Sequence, residues 1–275
     1  AGVKVAIADY GLGNARKLLY VSALEKALRE AGHEIHKHPI GTLPPKGVDF
    51  AVFWGMKTAP VPALREARIP FIVSEMPYFG GRQAAASLGW NHLARHALRP
   101  PPSSKPRPQP EIKPWKSDNT GKVMVLGQVP RDYAVRNINM TVWANDTIEA
   151  ARKTWGREVV FRPHPATTRN MGLSVPMAPL HAALAAQHVW LAVTYNSSAA
   201  VECAASGIPT VALDGASMAF EVASHSIGER KMPNREQWAH WLSYAQWSHQ
   251  EFEDGTALAH IMKGFDAAKA DAEQY

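Results

Sequence analysis

The stretch Thr194-Tyr-Asn-Ser-Ser-Ala-Ala-Val-Glu-Cys-Ala-Ala-Ser-Gly-Ile-Pro-Thr-Val-Ala-Leu-Asp214 leaves few folds open to this chain. It reads as a strand end, a polar turn, a short helix, a stop and a second strand. The apolar run 189–193 stops at Asn196-Ser197-Ser198, residue types whose side chains cap a helix, and the Ala-rich 199–205 propagates it. Gly207-Ile-Pro209 ends that helix, because glycine takes a left-handed backbone and proline cannot extend the ladder. A strand, a crossover helix and a strand are the repeating unit of a parallel sheet. The helix start offers an anion free N–H groups, two hydroxyls and the positive end of a dipole. Glu202, one turn in from Ser198, is placed to accept hydrogen bonds from a ribose diol. The structural alternative is a capped Rossmann-type helix with Glu202 in solvent.

The same alternation fills most of the chain. Residues 3–8 read as a strand, 9–14 as a Gly-bearing turn and 15–31 as an amphipathic helix stopped by Gly32; strands follow at 33–38, 50–54 and 70–74. The first hundred residues therefore predict an open parallel α/β sheet. From Leu98 to Gly121 the pattern becomes Pro-rich and basic with no apolar period, the composition of an extended linker or long surface loop. Alternation then resumes with a strand at 122–126, a helix at 147–155, a strand at 158–161 and a helix at 179–186. The expected organisation is an N-terminal Rossmann-like domain over 1–97, a linker over 98–121, a second Rossmann-like domain over 122–233, and helices over 234–275 that pack across both. The aromatic stripe of that tail, Trp238, Trp241, Trp247 and Phe252 among others, has the spacing of core residues.

At 275 residues and 46% hydrophobic content there is room for two ordinary domains, and no apolar run approaches a membrane span. The first residues read as a strand rather than a signal peptide, so a cytoplasmic setting is expected. A single cysteine, Cys203, excludes an intrachain disulfide and a Cys-rich zinc site. The formal charge of +6 favours polyanionic partners, and it is concentrated: Arg95, Arg99, Lys105, Arg107, Lys113, Lys116 and Lys122 face only Glu111 and Asp118 in the same segment. Charge alone does not choose among nucleic acid, nucleotide and anionic glycan; phosphate neutralisation by such a stretch favours double-stranded DNA among them.

Gly11-Leu-Gly13 follows the first strand as in a dinucleotide fingerprint, but Arg16 takes the third glycine position and no acid ends the second strand. Phe161-Arg162-Pro163-His164-Pro165 sets a guanidinium and an imidazole at a strand's C-terminal edge, where open α/β folds bind ligands and arginine recognises phosphate bidentately; an ion-paired Arg162 and a loop His164 are the alternative. Ser74-Glu75 ends a strand of the first domain, where a carboxylate can serve as general base toward an acceptor hydroxyl. Asp9, ending the first strand, is its rival, and either carboxylate could instead cap a turn. Nucleophile elbow, phosphate-loop, His-Glu-x-x-His and Asp-x-Asp signatures are all absent from the sequence. What remains is metal-free chemistry on a nucleotide-bearing donor.

With these residues in place the chain resembles the two-domain, GT-B type glycosyltransferases of bacteriophage origin, the DNA β-glucosyltransferases among them, and in its donor site the capsule-sugar transferases. The resemblance implies two Rossmann-like domains facing across a cleft, with a C-terminal helix crossing back. It implies Glu75 as the base with Asp9 as the alternative; Gly127, Gln128, Arg162, His164, Asn196, Ser197, Ser198 and Glu202 around the donor; and Gly11, Gly13, Arg82, Trp90, Asn91 and Arg95 on the acceptor side, Trp90, Asn91 and Arg95 stacking on or holding an extruded base. The segments Gly80-Gly-Arg82 to Gly89-Trp-Asn91 and Ala245-Gln-Trp-Ser248 are also similar to an uncharacterised phage family. The implied reaction moves a sugar from a nucleotide sugar, a UDP-sugar by expectation, to a 5-hydroxymethylpyrimidine of phage DNA, with no metal and no further cofactor. A surface-polysaccharide or lipid-linked acceptor, and a non-catalytic DNA- or nucleotide-binding module, are the competing readings.

Overall fold

The computed structural model describes residues 2–11, 15–92, 98–170 and 177–274. In chain order its elements are β1 (Lys4–Asp9), α1 (Ala15–Glu30), β2 (Glu34–Pro39), β3 (Phe50–Trp54), α2 (Val61–Glu66), β4 (Phe71–Glu75) and β5 (Ala86–Trp90). There follow β6 (Lys122–Leu126), α3 (Met140–Trp155), β7 (Val159–Arg162), α4 (Pro165–Asn170), α5 (Leu180–Ala186), β8 (Val189–Thr194), α6 (Ala199–Ala205) and β9 (Thr210–Ala212). The chain ends in α7 (Glu236–Ser243), β10 (Gln246–Trp247), α8 (His249–Glu253), α9 (Thr256–Met262) and α10 (Phe265–Ala272). These elements form two compact α/β units, one of residues 1–108 with 240–275, the other of residues 109–239.

In the first unit the sheet order is β10-β5-β4-β3-β1-β2. Strands β2, β1, β3 and β4 are parallel, as their patterns predict, whereas β5 runs antiparallel to its two neighbours, β4 and β10. Strand β5 escapes the sequence reading because Ala-Ser-Leu-Gly-Trp carries no β-branched residue and a central glycine; pairing with β4 on one side and the tail's β10 on the other makes it a strand. The tail aromatics are core: Trp238, Trp241, Trp247 and Phe252 are at most 3% exposed. Trp90 stacks on Phe265 at 5.6 Å and its indole N–H donates to the Ile261 carbonyl at 2.8 Å.

In the second unit the order β7-β6-β8-β9 is fully parallel. Successive residues of β6 feed opposite faces, as strand geometry requires: Val123 and Val125 join a cluster with Trp143, Ile148 and Trp155 of α3, while Met124 and Leu126 pack with Leu180, Leu184 and Cys203. Helices cover both faces, the Rossmann-like arrangement. Helix α3 starts at Met140, about two turns before the periodicity announces it, because the Asn139 side chain caps it by accepting from the Thr141 and Val142 N–H groups at 3.1 Å. Cys203 is the small core residue its Ala-rich setting suggests, and burial pushes its thiol up to about 12.

The Pro-rich basic segment is not an extended arm in this structure. Its first part lies on the tail of its own unit: the Tyr244 hydroxyl donates to the Lys105 carbonyl at 2.6 Å and Arg107 Nε to the Ser243 carbonyl at 2.7 Å. Its second part lies on the α6–β9 turn, with Lys113 N donating to Ala205 O at 2.8 Å and Lys116 N to Gly207 O at 2.7 Å. Arg235, stacked 3.8 Å over Trp115, ties the same turn down by donating to Ala204 O and Lys113 O. Proline lacks the N–H to join a ladder, so the segment reads as coil, yet its non-proline amides are used for docking.

Candidate functional site

Open parallel sheets bind ligands beyond the C-terminal strand ends, where the strand order reverses. In the second unit that reversal falls between β6 and β8. The register Arg162–Leu126–Thr194–Ala212 puts all four strand ends level, so Arg162, Gln128, Asn196 and Asp214 emerge along one edge spaced by strands about 4.8 Å apart.

At the reversal sits a closed polar knot. Gln128 Nε2 donates to Asn196 Oδ1 at 2.7 Å and Gln128 Oε1 accepts from the Asn196 backbone N–H at 3.1 Å. Asn196 Nδ2 donates to Ala134 O at 2.8 Å and to Asp214 Oδ2 at 3.0 Å. The Asn196 amide is therefore fully occupied inside the protein, and its part is to brace the turn that carries Ser197 and Ser198. Asp214 is the member sequence reasoning missed, although an acid two residues past β9 was the available signal. Burial raises the Tyr195 hydroxyl's pKa, and the Asp214 carboxylate that it hydrogen-bonds raises it further, so this phenol stays a donor.

The turn itself corrects one expectation. The N–H groups predicted to await an anion are taken: Ser197 N donates to Thr194 Oγ1 at 3.0 Å, Ala199 N to Ser197 Oγ at 3.2 Å, and Ala200 N and Val201 N to the Ser197 and Ser198 carbonyls. Helix α6 is also only seven residues long. What faces solvent is the Ser198 side chain, with Glu202 beyond it, 3.8 Å from His181 Nδ1 on α5. Gly127 lies against the Phe161 ring, where an added Cβ would stand 2.8 Å from Cζ; this glycine makes room for the edge strand's side chain.

Arg162 and His164 flank this knot on the edge strand. Arg162 Nη2 donates to the Ala178 carbonyl at 2.8 Å, and among the described residues no carboxylate lies within ion-pair distance of it. The ion-pair alternative thus does not hold it. His164 Nδ1 accepts from Ala166 N at 3.0 Å, capping α4, which puts the neutral ring's proton on Nε2.

In the first unit the order reverses between β1 and β3. Asp9 is exposed and accepts from Gly11 N at 3.1 Å, the Asx turn that a glycine at φ +60° completes; Gly13 lies outside the described residues. Tyr10 locks this corner, its hydroxyl accepting from Trp54 N at 2.6 Å and meeting Thr58 Oγ1 at 2.7 Å. Glu75, half-buried at the end of β4, accepts from Met56 N at 3.1 Å through Oε1, while its own N–H donates to Ser87 Oγ at 3.2 Å. The loop after it is held by the tail: Gln246 Oε1 accepts from Tyr78 N at 2.8 Å and Gln246 Nε2 donates to Phe79 O at 3.1 Å. Sequence reasoning singled out the segment around Gln246 without this role, which a separation of 168 residues hides. Past Gly80 and Gly81, both at positive φ, Arg82 is exposed.

The expected base-contacting set does not assemble. Trp90 is 6% exposed and packed between Phe50 and Phe265. Asn91 is 1% exposed, its Oδ1 accepting from Phe71 N and its Nδ2 donating to Ala268 O and Asp271. Neither has a face for a base, because both anchor the tail to the sheet; Arg95 lies outside the described residues. The basic segment is partly neutralised: Arg107 is bidentate on Glu251, Lys116 pairs with Asp118 at 3.6 Å and Lys122 with Glu158 at 3.1 Å, while Arg99 sits 4.3 Å over Trp241. Among the described residues Lys105 and Lys113 have no carboxylate within ion-pair distance, so neutralising them should flatten a salt-dependence slope for DNA by no more than roughly 0.9 each; titrations at several salt concentrations measure it.

Arg107 is instead a structural cation, and its loss has a pH signature. Burial alone would raise the Glu251 carboxyl, but hydrogen bonds from Arg107 and Ser248 outweigh it and hold its pKa below the usual range. A carboxylate depressed in the folded state contributes stability above its unfolded pKa and loses it as pH falls through the folded value. Arg107→Ala should therefore cost about 1–3 kcal/mol at neutral pH, and the gap to the parent should narrow in acid below the ordinary carboxylate range. Urea melts at neutral and acid pH check both parts.

No family model matches this sequence, and no curated protein matches it. Among solved structures it is similar to KpsC of Thermosulfurimonas dismutans, a beta Kdo 2,7 transferase, at 12% identity over 93% of this chain and 99% of that one, with a TM-score of 0.47. It is also similar to the transcription regulator CcpA of Lactococcus lactis (9% identity, 94% and 93% covered, TM-score 0.26). A third likeness is to the NAD+-bound 3-phosphoglycerate dehydrogenase of Entamoeba histolytica (9% identity, 95% and 97% covered, TM-score 0.22). None of these likenesses reaches the level at which shape speaks for chemistry.

Proposed function

We propose that the chain is a glycosyltransferase that moves a sugar from a nucleotide sugar to a hydroxyl, with the donor on the C-terminal edge of the second unit and the acceptor on that of the first. The observation that carries this reading is Arg162: a strand-end guanidinium with no carboxylate partner among the described residues, level with a braced polar turn at the point where the strand order reverses. Its remaining donors suit a diphosphate, with the Ser198 hydroxyl, beyond β8 across the reversal, as a further phosphate ligand and Glu202 accepting from the ribose diol. His164, two residues on, is a second candidate ligand for phosphate. Glu75 takes the acceptor proton as the hydroxyl attacks the anomeric carbon and the nucleoside diphosphate leaves; no metal step is invoked. A UDP-sugar is the proposed donor. The acceptor is proposed as a 5-hydroxymethylpyrimidine in phage DNA on the sequence resemblance, with the pairing of Arg107, Lys116 and Lys122 weakening its electrostatic support. A glycan hydroxyl is the other acceptor to test.

One screen tests the reading. The protein is incubated with hydroxymethylated DNA, or with polysaccharide acceptors, and a panel of sugar nucleotides, and the products are digested and weighed. Sugar-bearing nucleosides are expected; absence of transfer and of donor hydrolysis across the panel would reject the transferase. Arg162→Ala should weaken nucleoside diphosphate binding by about 1.5–3 kcal/mol, the worth of a charge-assisted phosphate contact. Calorimetry on the folded variant decides: an unchanged Kd returns Arg162 to a structural role.

A further inference from the structure

Outside both strand edges, the first unit contains a cavity of about 450 Å³ between the Pro-rich segment and the tail. Its volume lies in the range of small-molecule sites. Its walls are aromatic: Tyr244, Trp247 and His260 meet in a triangle with ring centroids 5.2–5.8 Å apart. Arg107 lies 3.8 Å over the Trp247 ring, held in place by Pro106 and Pro108 on either side and by hydrogen bonds to Ser243 O and Gln246 O. Lys105 and Lys263, both exposed, stand on the rim, and among the described residues neither has a carboxylate within ion-pair distance.

The cavity carries an excess of positive charge. Elsewhere in the basic segment Lys116 and Lys122 have acidic partners. Here the one lining carboxylate, Glu251, is consumed by Arg107 and by the Ser248 N–H. His260 adds no charge, since burial lowers its pKa and its Nε2 donates to the Leu98 carbonyl at 3.2 Å. Three fixed cations against one carboxylate leave two net positive charges over an aromatic floor.

We propose that this cavity binds a phosphate bonded to a flat ring compound, a nucleotide unit, with the Lys105 and Lys263 ammonium groups on the phosphate and the ring against Tyr244 and the Arg107 guanidinium. Aromatic faces and arginine planes are the surfaces on which bases stack, and a phosphate monoester brings close to the two negative charges that the rim leaves unbalanced. The same unit could arrive as a free nucleotide or within a single strand. The site is independent of the transferase reading, as it uses none of the residues assigned to donor or base.

The test is calorimetric titration with deoxycytidine monophosphate, in an Arg162→Ala background so that the proposed donor edge does not compete. One saturable site per chain is expected, with a Kd below about 1 mM. Lys105→Glu with Lys263→Glu should weaken it at least about tenfold, the loss expected from removing charge-assisted contacts, while melting is unchanged because both side chains are on the surface. Deoxycytidine and inorganic phosphate should each bind at least about tenfold more weakly than the monophosphate. Tighter binding of a short oligodeoxycytidine would make the source a single strand; equal or weaker binding would make it a free nucleotide. Absence of saturation, indifference to the double charge reversal, or inorganic phosphate binding as well as the monophosphate would each overturn the proposal, the last as an anion site only.

Discussion

Glu75→Gln is expected to lower turnover of the sugar nucleotide by about 10²- to 10⁴-fold, the usual contribution of a general base, while leaving donor binding within a few-fold. The substitution is mild structurally. The Glu75 side chain accepts from Met56 N through one oxygen, and glutamine keeps an oxygen for that bond; what it loses is the capacity to take a proton. Asp9→Asn is the matching control, since Asp9 ends β1 at the same edge with its Oδ1 turned to Gly11 N. Single-turnover measurements on both variants decide the assignment. If Asp9→Asn lost turnover and Glu75→Gln kept it, Asp9 would be the base and the comparison with DNA β-glucosyltransferases would lose its closest point.

Gly207→Ala should be among the most damaging single-methyl changes in the second unit, at about 2–4 kcal/mol. Two causes combine: a left-handed backbone at φ +87° disfavours any Cβ by about 1–2 kcal/mol, and here the Cβ would stand 2.1 Å from the Pro114 carbonyl oxygen. Relief requires the docked 113–116 segment to lift, which breaks the Lys116 N to Gly207 O bond and the anchor from Arg235. Gly156→Ala is the control, because φ is +59° there but nothing lies within 4 Å of the added carbon. Its loss should be confined to the backbone term of about 1 kcal/mol. Equal losses at the two positions in chemical denaturation would show that the segment is not held against the turn.

Gly207 also shows how far a local pattern reaches. That a glycine ends the helix before Pro209 follows from the sequence, because the left-handed stop is a property of a few consecutive residues. That no other residue fits is a fact about Pro114, ninety-odd positions away, and proline-rich coil carries no period from which a docking partner could be inferred. Arg107 and Lys122 illustrate the same limit: counted along the chain they belong to a basic segment, whereas in space Glu251 and Glu158 pair with them.

The sequence by itself determined the two α/β alternations, the strand ends that bear Glu75, Arg162 and Asn196, and the buried tail aromatics, since each depends on periodicity or on residues a few positions apart. Only the tertiary structure decided that Trp90 and Asn91 anchor the tail instead of facing a ligand, that Gln128 and Asp214 close the knot on Asn196, and that the proline-rich segment docks at Gly207. Hydrogen bonding and desolvation are settled by the partners that folding brings within about 3 Å, and for these residues most of those partners come from distant stretches of chain.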